Sequence, residues 1–257
     1  RMLEIALAIA VPVVLLALWE WGGHADWYDT RFFPRPSTVW SEGVDLVRDG
    51  TLQEEVWITT KRVLAGFALG SLVGVIAGVI LGVSRLTRAA FEPTLNALYT
   101  VPKLALLPAF LLLFGTRNDN AKIVLIAVTV FFFMWISTMA AIMSVSEGYR
   151  EALRSFGANQ LQMLRHVLMP AALPQVFVAL RLSAGVSVLT VVGIEFVTGG
   201  DGVGNLIWKS WQLFIPERTY VGIVTVALMG FVFSAIVQFV GRLLMPWAPN
   251  QKVIGRQ

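Results

Sequence analysis

The 257-residue chain contains no cysteine and only two histidines, His24 and His166. Disulfides, thiolate metal sites and thiol nucleophiles are therefore excluded, and two histidines so far apart in sequence do not suggest a metal centre. Charge is scarce as well: 14% of residues are Asp, Glu, Lys or Arg, against 56% hydrophobic and a mean hydropathy of +0.72. A chain this apolar cannot clothe a soluble domain in polar surface, so it reads as an integral membrane protein. The net charge of +4 is modest and fits loops facing lipid headgroups, not a nucleic-acid surface. There is no GxxxxGK(S/T) phosphate loop, no HExxH and no GxSxG, so the residues for nucleotide, zinc or serine hydrolase chemistry are missing.

What is present is a series of long apolar runs. Residues 5–19, 63–84, 93–116, 123–146, 171–197 and 221–241 each reach, with their flanks, the ~20 residues a bilayer-spanning helix needs, which predicts an all-α protein with six transmembrane helices. No small-residue cleavage site follows the first run, so it is expected to be a retained span. Trp19, Trp21 and Trp27 fit the headgroup belt, and residues 22–60 read as a polar outer segment with a short interfacial helix after Ser37. The organisation expected is a first helix with its outer segment over 1–60, a core over 61–245 and a tail over 246–257.

Within the second run, Gly66, Gly70, Gly74, Gly78 and Gly82 recur every fourth residue, a ladder that lets another helix backbone approach closely. In the third, Pro102 and Pro108 interrupt the hydrogen-bond ladder and predict a kinked helix. Three charges fall inside spans: Lys103, Arg181 and Glu195. Such charges are costly and suggest a solute path, though snorkelling or interhelical roles account for Glu195 as well and for Lys103 and Arg181 better. Arg181 and Glu195 lie fourteen residues apart, about 21 Å on a straight helix, too far to pair directly. They could stand at opposite ends of one pathway, followed by the glycine-rich turn 199–204.

The longest polar interruption in the second half of the chain, residues 147–174, reads EGYREALRSFGANQLQMLRHVLMPAALP. Glu147 with Glu151, and Arg150 with Arg154, interleave at helical spacing along one exposed strip. Gly157 supplies a helix stop, and Asn159 with Gln162 the cap of a second helix. Pro170 and Pro174 then mark where the next span begins.

Here a family resemblance enters. Glu151-Ala152-Leu153, three residues, Gly157, nine residues, Val167-Leu168-Met169-Pro170 resembles the E-A-A, three, G, nine, I-x-L-P loop of permease subunits of bacterial ATP-binding-cassette importers. Leu153, Val167 and Met169 are conservative departures from that pattern. The segments PRPSTVW, VPKLALLPAFLLLFG and GGDGVGNLI are similar to the nitrate/sulfonate/taurine branch, and the resemblance covers roughly residues 34–245.

The resemblance implies a type I importer permease whose loop 147–170 is cytoplasmic and seats an ATPase through Glu151, Ala152, Arg154, Gly157 and Pro170. It implies two permease copies, expected as a homodimer, two ATPase subunits and an extracytoplasmic substrate-binding protein. This chain itself would bind no cofactor, ATP and Mg being held by the ATPase subunits, and would transport a small, anionic solute. Lys103, Arg181 and Glu195 are the candidate path residues, Glu195 matching an acidic position of the branch. Basic residues are shared evenly between the two sides, so orientation, with both termini cytoplasmic in a bacterial inner membrane, follows from the loop and from Arg85 and Arg88. An ion-coupled secondary transporter is the alternative, but it predicts more intramembrane acids than Glu195 and an inverted repeat. A membrane enzyme ranks behind it.

Overall fold

The computed structural model describes residues 2–115 and 119–247. Its elements are the helices α1 (Met2–His24), α2 (Pro36–Arg48), α3 (Thr51–Val83), α4 (Arg85–Tyr99), α5 (Leu107–Phe114), α6 (Asn120–Met143), α7 (Glu147–Ser155), α8 (Gln160–Met163), α9 (Met169–Thr198), α10 (Val203–Gln212) and α11 (Pro216–Leu244). Five helical runs are long and apolar enough to cross a membrane: 6–24, 51–83, 120–143, 160–198 and 216–244. A sixth crossing is available if the bent pair α4 and Lys103–Phe114 counts as one span. Most of the expected tail, 246–257, lies outside the described residues.

Three of the expected elements differ in detail. The third span is not one kinked helix but two segments meeting at 90°. Pro102 takes an extended conformation and ends the ladder outright, whereas Pro108 sits in the first turn of α5, where its missing N–H costs nothing. The second span starts twelve residues before the expected Val63, because apolar sequence marks where a helix meets lipid and not where it begins. Pro170 does not start the fifth span either; helix continues through it from Gln160 to Thr198. A π-helical turn over Leu164–Leu168, with the Met169 amide donating to the Leu164 carbonyl, widens the ladder just before the proline ring enters it.

The chain divides into two compact units. The first comprises residues 1–60 and 192–228, the second 61–191 and 229–257. In the first, Gly43 of α2 packs against Val221 of α11, Arg218 pairs with Glu42 at 2.8 Å, and the Trp19 and Tyr220 rings meet at 5.8 Å.

The second unit is built on α6, whose Leu125, Ile126, Val130, Met134, Trp135 and Ile142 are fully buried. The glycine ladder of α3 packs against this helix. A Cβ at Gly66, Gly74, Gly78 or Gly82 would stand 2.6–2.8 Å from the Cβ of Ile126, Met134, Thr138 or Ile142, closer than carbon atoms can approach. The offset is constant, 126 − 66 = 142 − 82 = 60 residues, so α3 and α6 run parallel and in step for four helical steps. Glycine is therefore required along the ladder by α6 of the same chain.

Candidate coupling segment and intramembrane charges

α7 follows α6 after a three-residue turn and ends in two interlocking hydrogen bonds: the Gly157 amide donates to Arg154 and the Ala158 amide to Leu153, at 2.9 and 3.2 Å. This closure needs a left-handed residue, and Gly157 has φ +75°. Two residues on, the Asn159 side chain accepts from the Gln162 amide while the Gln162 side chain accepts from the Asn159 amide, at 2.9 and 2.8 Å. Both ends of the turn are thus satisfied internally, which makes the helix–turn–helix stiff.

Glu151, Ala152, Arg154 and Gly157 are all exposed; Pro170 is half-buried inside the continuing helix. Charges pair differently from the expected strip. Glu147 serves both arginines, Arg150 at 3.7 Å and Arg154 at 3.1 Å. Glu151 makes no ion pair among the described residues. Arg150 is only half-exposed, because its guanidinium turns back to donate to the Ile142 carbonyl at 2.8 Å. The segment also presents apolar side chains, Tyr149 at 66%, Phe156 at 87% and Leu161 at 71% exposure, of which the sequence reading singled out neither Tyr149 nor Phe156. Their signal was available, since a bulky apolar residue in a polar stretch has no core to enter.

The intramembrane charges separate into three environments. Lys103 lies at the bend of the broken pair, where its ammonium donates to the Tyr99 carbonyl and sits 4.7 and 4.8 Å from the centroids of the Tyr99 and Phe132 rings. Among the described residues, carbonyl and π faces hold the cation without a carboxylate. Arg181 is exposed on α9. With the Gln238 amide oriented by its hydrogen-bonding partners, its oxygen accepts from Arg181 at 3.2 Å and from Arg242 at 3.1 Å. Two guanidiniums thus converge on one neutral oxygen of α11, a pairing invisible in the sequence because it joins positions 61 residues apart.

Glu195 is fully buried. Its carboxylate accepts from the Thr59 hydroxyl at 3.0 and 3.1 Å and from the Gly204 amide at 2.9 Å. Thr59 in turn accepts from the Val203 amide at 2.9 Å, and the Gly202 amide donates to Glu55. The acid therefore caps the N-terminus of α10, where free amides and the helix dipole favour negative charge. Glycine at 204 follows from this: a Cβ there would stand 2.8 Å from that of Glu195. Gly200, in the glycine-rich turn 199–204, has its carbonyl engaged by Asn205 and Lys209 at 2.7 and 3.0 Å. Among the described residues, no cluster of three or more His, Asp or Glu side chains is placed to hold a metal ion.

Residues 70–248 match the family model described as "Binding-protein-dependent transport system inner membrane component". The chain is 31% identical over 239 residues to the SsuC permease of Bacillus subtilis, assigned to aliphatic sulfonates transport, with 93% of this chain and 86% of that protein covered. It is also 31% identical over 221 residues to the nitrate import permease protein NrtB of Leptolyngbya laminosa, covering 82% and 79%. A solved amino acid ABC transporter chain superposes with a TM-score of 0.60 over 80% of this chain and 98% of its own, at 18% identity, a likeness of fold. The α3–α6 core and the 147–170 helix–turn–helix therefore stand in a chain that belongs to the binding-protein-dependent transport inner membrane component family: a membrane-embedded permease subunit of a bacterial ATP-driven importer, not an enzyme, that works with a separate ATPase and a substrate-binding protein.

Proposed function

We propose that the segment from α7 to the π-helical turn is the seat of the ATPase and that this permease passes a small anionic solute. The observation that carries the first part is the exposed apolar group Tyr149, Phe156 and Leu161 on a stiff, internally capped helix–turn–helix. Exposed aromatic residues on a rigid element fit a complementary groove at little entropic cost, since few torsions remain to be frozen. Glu151, without an ion pair among the described residues, supplies a charge for that groove, and Ala152 leaves room for the helix to seat. ATP and Mg belong to the ATPase, and this chain binds neither.

The anionic solute is supported by two independent points. The sulfonate and nitrate permeases that resemble this chain carry small oxyanions in their names. Arg181 and Arg242 also place two cations around one neutral amide, leaving net positive potential on the α9–α11 face. Lys103, held at the bend, is a further path candidate, whereas the partners of Glu195 favour its alternative role as a cap. We further propose a homodimer in the bacterial inner membrane with both termini cytoplasmic.

The test is native mass spectrometry of the purified assembly, with Glu151→Lys beside the unaltered chain. Two permease copies with two ATPase subunits are expected, and Glu151→Lys is expected to shed the ATPase while remaining inserted. A permease that stays monomeric, or a variant that retains its ATPase fully, overturns the reading. Small-molecule mass spectrometry of the co-purified binding protein identifies the solute, and a cationic or neutral compound there refutes the anionic assignment.

A further inference from the structure

The geometry points to a two-arginine clamp, Arg150 and Arg88, as the joint through which movement of α7 reaches the α3–α6 pair and α4. This inference rests on the reading of α7 as the ATPase seat.

The last carbonyls of a helix have no partner within it, and a cation placed there meets both their hydrogen-bonding capacity and the negative end of the dipole. Arg150 does this for α6: it leaves the exposed face of α7 and donates to the Ile142 carbonyl at 2.8 Å, one residue before the helix ends. Arg88 of α4 does the same for α3. Its guanidinium donates to the carbonyls of Leu81 at 3.2 Å and Gly82 at 3.5 Å, in the last turn of that helix.

The two capped ends touch. A Cβ at Gly82 would lie 2.8 Å from that of Ile142, so the backbone held by Arg88 is in direct contact with the residue whose carbonyl Arg150 holds. Leu95 of α4 packs against the same end, on the buried cluster of Leu81, Phe132, Trp135 and Met139. The result is an unbroken physical chain from α7 through Arg150 to Ile142, across to Gly82, and through Arg88 to α4.

The turn between α6 and α7 is only three residues long, and its own hydrogen bonds are local, from Ser144 to Ala140 and Ala141 and from Tyr149 to Ser146, whereas Arg150 reaches across it from α7 to the end of α6. The guanidinium spans the corner, half-buried, with the Glu147 carboxylate 3.7 Å from its Nε. A planar, multi-donor cation suits this better than a flexible ammonium, though lysine retains a donor for the carbonyl. Arg150 is thus a positioning residue that makes α6 and α7 turn as one body; the small displacements an ATPase imposes on α7 are then passed on undiminished.

Because the chain has no cysteine, pairs introduced by substitution label uniquely. Ser155→Cys on α7 and Met143→Cys at the end of α6 are both exposed and outside the clamp. Spin labels on this pair, in the full importer complex in lipid nanodiscs, report the α6–α7 distance with and without ATP and vanadate. With Arg150 intact, one narrow distance is expected, unchanged by nucleotide. Arg150→Gln should broaden it or make it nucleotide-dependent, lower binding-protein-stimulated hydrolysis about tenfold, the size of a lost charged hydrogen bond, and leave ATPase retention unchanged. Arg150→Lys should restore much of both signals, and Arg88→Gln should lower the same stimulation without altering the α6–α7 distance.

A narrow, nucleotide-independent distance and normal stimulation in Arg150→Gln overturn the clamp. So does loss of the ATPase from Arg150→Gln to the extent seen for Glu151→Lys, which would place Arg150 in the docking surface itself. Failure of the docking reading has a different signature: Glu151→Lys retains its ATPase. The nucleotide-free distance then still decides whether Arg150 fixes the corner.

Discussion

Glu195 and Thr59 lie 136 residues apart in sequence and share hydrogen bonds of 3.0 and 3.1 Å in a site closed to solvent. Thr59 is itself fully buried and accepts from the Val203 amide, so one hydroxyl and one acid take the first two amides of α10. Leaving buried amides without an acceptor costs their full desolvation, which is greater than the net worth of the bonds themselves. Glu195→Ala is therefore expected to lower stability by about 2–3 kcal/mol and Thr59→Val by less, since Thr59→Val keeps the carboxylate in place. Thermal unfolding in detergent micelles checks the order. A Glu195→Ala protein of normal stability that has lost only transport would restore the path role.

The glycine ladder gives a sharper contrast within one residue type. Gly78→Ala sets a methyl group against Thr138 and the Trp135 carbonyl and is expected to cost about 1–3 kcal/mol by overpacking, Gly78→Val more. Gly230→Ala on α11 meets nothing within 4 Å and should be neutral or slightly stabilising, alanine being the better helix former. Yield and thermal midpoint of the three variants, measured side by side, separate close packing from a general dislike of larger residues in membrane helices.

How much of this was legible in the sequence depends on whether the partner has a signature. The ladder itself is a spacing and can be read, but its partner cannot: Ile126, Met134, Thr138 and Ile142 are ordinary membrane residues until α6 is placed beside them. Gly157 was legible because its left-handed backbone is a local demand, met by the residue itself. The Arg150 bond was not, because a backbone carbonyl looks the same at every position, and helical spacing assigned the side chain to the exposed strip instead. Pro102 was legible as an interruption while the 90° bend was not, since the turn angle is set by what α5 packs against. Pro170 misled because a proline inside a span and one at its start read alike, and a π-helical turn lets the chain continue.

Arg181 and Arg242 share the Gln238 oxygen, so their contributions to an anion's passage should be coupled. Each of Arg181→Gln and Arg242→Gln is expected to slow uptake of the solute found on the binding protein, by about tenfold if one charge-assisted contact is lost. The double variant should lose less than the product of the two, because they act at one place. Proteoliposome uptake set against complex yield measures this. Multiplicative losses would show two independent sites, and loss of assembly in either single variant would make the pair a structural contact between α9 and α11.

Gly157 offers a test in which space and backbone conformation separate. A Cβ there meets no atom within 4 Å, so a larger side chain has room and only the left-handed backbone, at φ +75°, objects. The objection amounts to about 1–2 kcal/mol for an ordinary L-residue and less for asparagine, which enters this conformation more readily. Valine, branched at Cβ, is the least tolerant. The expected order of damage is Val > Ala > Asn. It should appear as weakened ATPase retention or as hydrolysis uncoupled from uptake, with insertion into the membrane unaffected, because the two closing hydrogen bonds from Gly157 and Ala158 are lost only when the turn opens. Retention, basal hydrolysis and uptake are to be followed together in reconstituted complexes. If the three variants rank by side-chain volume instead, with asparagine worse than alanine, the surface around Gly157 is a contact that the partner fills and the left-handed turn is incidental.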